Sequence, residues 1–171
     1  TDRRGGESLG VYDGWAAFKD AKPLRCYAIA KAQGKPPAPA YATVSNWPDR
    51  KVRGAVHLVL SRDVADKKVV RLTIGDKRFD LVAKGRNAWA ADARADAAIV
   101  AAMRSASRMS VSGSGFSDRY ILSGAATAID AATVGCAQAL MPGRVGLIAG
   151  ILVGGAYGAA GIAAAALGAL A

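Results

Sequence analysis

Charge stops abruptly in this chain. All 36 charged side chains lie between Asp2 and Arg144, and the last 27 of 171 residues carry none. A stretch with no ionic group cannot keep its own surface hydrated as the preceding residues do, so the chain reads as a basic domain followed by an apolar tail. Three parts follow from composition: a loose polar arm over residues 1–10, a β-rich domain over 11–140, and a Gly/Ala-rich tail over 141–171. At 52% hydrophobic residues the chain is too apolar for disorder, and its length suits one domain with an appendage.

The tail has the length of a membrane helix. Twenty-seven residues in α-helix reach roughly 40 Å, against about 30 Å for a hydrocarbon core. Gly146, Gly150, Gly154 and Gly158 recur at every fourth position, forming the small-residue stripe along which helix backbones approach closely. Ten Ala and seven Gly dilute the apolar bulk, and the nine aliphatic residues contribute only about −3 to −5 kcal/mol to insertion. The tail is therefore expected to be a membrane-associated helix that depends on pairing, which implies a homo-oligomer. The competing readings are a low-complexity extension and a soluble packing helix.

Within the domain, short alternating segments dominate. Residues 15–19, 25–32, 41–45 and 56–60 read as strands, and residues 69–74 and 77–83 form a hairpin across Gly75-Asp76. That register predicts Val70, Leu72, Ile74, Phe79 and Leu81 inside, with Arg71, Thr73, Arg78 and Asp80 outside. The period then lengthens. Asp92 is a good N-cap, and Ile99, Ala102, Met103 and Ala106 recur at helical spacing. Residues 108–113 and 118–123 return to alternation, and Ala125, Ile129, Thr133, Cys136 and Leu140 line one side of a second helix. The expected fold is α+β: a predominantly antiparallel sheet, curled or sandwiched, with two late helices and the C-terminal apolar helix.

Cys26 and Cys136 stand too far apart for a zinc cluster or a redox motif. An even pair without metal spacing favours one structural disulfide in an oxidising compartment; two separate buried thiols are the alternative. The chain begins at Thr1 without a basic-then-apolar leader, as expected of a processed exported form or a trimmed chain.

The order and spacing of three motifs resemble those of the invasion-associated locus B family of alphaproteobacterial envelope proteins. They are Tyr12…Trp15…Cys26-Tyr27, the run from Asp96 to Arg104, and the run from Asp118 to Gly124 leading to a helix with Cys136. The resemblance spans about residues 10–137. It implies a β-rich fold, export to the periplasm or cell envelope, and a role linked in some members to host-cell invasion, without an established catalytic activity. The chain departs from that pattern in its lone first cysteine and its apolar tail.

Catalytic signals are weak. His57 is the sole imidazole and alternates out of phase with Val56, Leu58 and Leu60, so it is expected to face solvent. A small hydrolase would need a serine held by that imidazole, and no G-x-S-x-G elbow presents one. Phosphate-loop glycines, soft metal ligands and clustered carboxylates are missing from the sequence, so no cofactor or metal is expected. Asp92 and Asp96 read as residues of a helix start.

The net charge of +10 points instead to an anionic partner. Arg50, Lys51, Arg53, Lys67, Lys68, Arg71, Lys77 and Arg78 are the candidate contacts for anionic lipid or acidic glycan. A nucleic-acid-binding domain fits the charge but not the motifs, which include no aromatic RNA-binding signature or helix-turn-helix. The leading expectation is a non-enzymatic exported envelope protein with a binding or structural role. If the glycine stripe drives self-association, Gly150→Leu with Gly154→Leu will weaken cross-linked oligomers in detergent; unchanged cross-linking removes that role from the tail.

Overall fold

The computed structural model describes residues 6–65 and 69–137. The chain divides after Cys136, and the first unit, residues 1–136, contains the fold set out below. The tail, with Gly146, Gly150, Gly154 and Gly158, lies outside the described residues, as do Lys67 and Lys68. No helix among the described residues is long and apolar enough to cross a membrane.

Ten strands form one antiparallel sheet: β1 (Glu7–Tyr12), β2 (Trp15–Ala21), β3 (Leu24–Lys31), β4 (Tyr41–Trp47), β5 (Val52–Val59), β6 (Val70–Ile74), β7 (Lys77–Lys84), β8 (Asn87–Trp89), β9 (Arg108–Gly113) and β10 (Phe116–Ile121). Their order is β1-β2-β3-β4-β5-β8-β7-β6-β9-β10. Helix α1 (Ala93–Ser105) joins β8 to β9, and α2 (Ala125–Gly135) follows β10. The sheet curls. Gln33 N–H donates to Arg119 O at 2.8 Å, and the Trp15 indole donates to Ile121 O at 2.9 Å, drawing edge strand β10 toward the β2–β3 region.

The expected strands are present, and the 69–83 hairpin has the expected register: Val70, Leu72, Ile74 and Leu81 are buried, and Arg71 faces Asp80 on the other side. Two strands depart from expectation. Glu7–Tyr12 is a strand paired with β2, although it overlaps the stretch read as a loose arm. Its pairing shifts register between Ser8 and Gly10, a bulge that breaks the alternation in the sequence. Strand β8 has three residues, too few to show any period.

The two helices cover the inner face. Helix α2 packs on β1 to β4 through Ala125, Ala128, Ile129 and Ala132, small side chains that permit close approach. Gly124 begins it with φ +91°, and a Cβ there would lie 1.9 Å from Tyr12 O, so no other residue fits this entry. Helix α1 packs on β5, β6 and β7 through Ile99, Ala102 and Met103, and Arg104 joins α2 at Asp130 (2.6 Å). Asp92 caps α1 by accepting from Ala95 N–H at 2.8 Å. Asp96 does something the helix-start reading leaves out: it accepts the Val56 N–H at 2.9 Å and ties α1 to β5.

A disulfide joins Cys26 on β3 to Cys136 at the end of α2, with Cα atoms 6.0 Å apart and 110 positions between them. Loop-closure entropy makes a loop of this length worth about 4–5 kcal/mol. The paired Cys26→Ser and Cys136→Ser variant should lower unfolding free energy by about 2–5 kcal/mol in urea, and reductant should have no further effect on it. A variant as stable as the parent would show that packing alone holds α2.

Burial pushes the Asp96 carboxyl above its ordinary range; the Val56 hydrogen bond opposes this and the nearby Asp92 charge adds to it. Because the folded state then binds the proton more tightly than the unfolded chain, Asp96 contributes most at acid pH. Its contribution is lost as pH rises through the raised value. Asp96→Asn keeps an acceptor for Val56 and is expected to melt at or above the parent at neutral pH, with the difference shrinking on acidification. A lower melting temperature at pH 7 than the parent would mean that the charge itself stabilises the fold.

Candidate anionic-ligand surface

Side chains alternate across a sheet, so an inner set occupied by Val70, Leu72, Met109 and Val111 fixes the outer set. Across β7, β6, β9 and β10, direct register partners form one outer row: Arg78, Thr73, Ser110 and Arg119. The adjacent row is Asp80, Arg71, Ser112 and Ser117, in which Arg71 is paired with Asp80 at 3.3 Å. Arg108, one step along β9 on the same face, pairs in register with Ile121.

Strands β6, β9 and β10 and the end of α1 border a groove of about 670 Å³. Its polar lining includes Gln33, Thr73, Ser107, Ser110, Arg108 and Arg119, and no carboxylate belongs to it among the described residues. Tyr120 also borders it but is only 1% exposed, its ring turned to the core. Burial, with the neighbouring Asp118 charge, pushes the Tyr120 hydroxyl well above the usual phenol range, so it stays neutral at physiological pH. Asp118 is itself buried and accepts from Ser61 N–H at 2.9 Å and Ser61 Oγ–H at 2.5 Å, which fastens the segment after β5 to β10.

A second cationic group sits on the other half of the outer face. Arg25 donates to Ser45 Oγ at 2.9 and 3.2 Å and lies over the Tyr27 ring at 4.0 Å and the Trp47 ring at 5.0 Å. Arg50 covers the same indole at 4.8 Å. Such contacts hold the two guanidinium groups in place over the rings.

The expected contacts therefore fall into two groups. Arg50, Lys51 and Arg53 belong to the turn after β4 and the start of β5, while Arg71, Lys77 and Arg78 belong to the β6–β7 hairpin, and β8 separates the two. Arg25, Arg108 and Arg119 complete these groups and were not singled out in the sequence. Alternation over 108–113 places Arg108 and Ser110 outward, but the pairing of β9 with β6, which brings them beside Thr73, leaves no local trace.

His57 does lie on the outer face. Its ring stacks on Trp89 at 5.6 Å and its Nε2 lies 3.0 Å from Asn87 Oδ1. The ring contacts of His57 among the described residues are thus Trp89 and Asn87, and neither is the serine that a hydrolase reading requires. No cluster of metal-ligating side chains occurs among the described residues.

No family model matches the sequence, and no curated protein matches it. The fold matches the crystal structure of invasion associated protein B from Bartonella henselae, with a TM-score of 0.51 over 75% of this chain and 96% of that one. The likeness is one of fold. At 15% identity it is a distant structural relationship, coarser than the family resemblance read from the motifs.

Proposed function

We propose that this chain is an exported, non-enzymatic domain of the cell envelope that binds an anionic surface through the outer face of its sheet. The observation that carries this reading is the set of guanidinium groups on that face, Arg78, Arg108 and Arg119, which have no carboxylate partner among the described residues. A net charge of +10 adds long-range attraction toward the same kind of partner.

The compartment is supported by the disulfide, a bond that persists in oxidising surroundings, and by the fold shared with an invasion-associated protein. Under this reading, residues 141–171 tether the domain to the membrane, and the domain contacts anionic lipid or acidic glycan beyond it. Nucleic acid is a poorer partner for an exported domain.

The full chain in its oxidised form should co-sediment with vesicles containing phosphatidylglycerol, or be retained on a sulfated-glycan resin, and salt should release it as screening shortens from about 10 Å at 0.1 M to about 3 Å at 1 M. Retention on neither support at low salt would remove the anionic-surface reading.

A further inference from the structure

We infer that the groove between the β6–β9–β10 face and the end of α1 is a binding site for a sulfated oligosaccharide. The inference rests on the reading above, that this face binds anions, and adds the ligand class and the place. Its volume of about 670 Å³ lies within the range of small-molecule sites, about 300–1,000 Å³.

Charge complementarity is the first argument. Arg108 and Arg119 border the groove with Thr73, Ser107, Ser110 and Gln33, a lining of donors in which no carboxylate competes for them among the described residues. The one acidic side chain in the neighbouring row, Asp80, is already engaged by Arg71. Guanidinium forks match the oxygens of sulfate and carboxylate, and hydroxyls and amides match sugar hydroxyls.

Spacing is the second argument. Arg119 and Arg108 are diagonal neighbours on adjacent strands, so their Cα atoms stand about 7 Å apart, and Arg78 continues the same row at three strand spacings, about 14 Å from Arg119. Arg108 and Arg119 border the groove and Arg78 stands beyond its lining on the same row, a spacing of cations that suits a ligand with repeated anionic groups along a chain, not one free phosphate. Ile121, which is 39% exposed, supplies an apolar surface for the face of a sugar ring. A nucleic-acid strand has repeated charge too, but it needs exposed rings on which to stack bases. The lone aromatic side chain of this lining, Tyr120, is buried.

The test uses the full oxidised chain and a fully sulfated heparin-derived hexasaccharide as probe, followed by calorimetry and by amide shifts in a two-dimensional NMR spectrum. One-to-one binding is expected, with shifts centred on Thr73, Ser110 and Arg119. Arg108→Ala with Arg119→Ala should weaken it by about tenfold or more, with unchanged melting, while Arg50→Ala, Lys51→Ala and Arg53→Ala together should change it by less than about threefold. Equal losses in the two variants would overturn the groove and leave the broader surface-binding reading standing. Binding to phosphatidylglycerol vesicles without binding to the hexasaccharide would overturn the ligand class, as would tighter binding of oligothymidylate through the same arginines. Failure to bind either the vesicles or the hexasaccharide would remove both readings together.

Discussion

A sheet of ten strands has an apolar face far wider than two short helices can cover while it lies flat, and curling resolves this. The backbone bond from Gln33 to Arg119 and the indole bond from Trp15 to Ile121 bring the last strand back toward the early ones. That leaves an interior narrow enough for α1 to fill one half and α2 the other. Trp15, Leu58, Leu72 and Tyr120 are buried in one continuous core as a result. The small residues of α2 and the glycine before it follow from the same geometry, because the helix must lie close against strands that bend around it.

Curling also decides what the outside can do. In β6 and β9 the inner face takes every large apolar side chain, and the outer positions are left to Arg, Ser and Thr. The surface then inherits a regular grid from the hydrogen-bond register, with cations and hydroxyls at strand spacing. Where a carboxylate enters that grid, at Asp80, it is spent on Arg71. Arg78, Arg108 and Arg119 on the same grid have no carboxylate partner among the described residues.

Much of this was legible in the residues. Alternation located most strands, the β6–β7 hairpin was readable down to its inward set, and the cysteine count favoured the bond that the structure contains. Strand β1 escaped because its bulge interrupts the alternation near Gly10, and β8 because three residues have no period to read. Asp96 does stand in the first turn of α1, as its place in the sequence indicates, but its bond to Val56, 40 residues away, lies beyond any local rule. The candidate groove is non-local in the same way. Its Thr73, Ser110 and Arg119 come from three strands, and the pairing of β6 with β9 unites them.

The position of the disulfide has a mechanical side. Cys136 closes α2, while Cys26 lies within β3, which has β2 on one flank and β4 on the other. A pull on the chain beyond Cys136 therefore reaches the sulfur bridge before it can unwind the helix, and passes into a strand held by two ladders of hydrogen bonds. A domain connected in this way resists being drawn apart from its C-terminal end for as long as its cysteines stay oxidised, and reduction would turn the same pull into a peeling of α2 from the sheet.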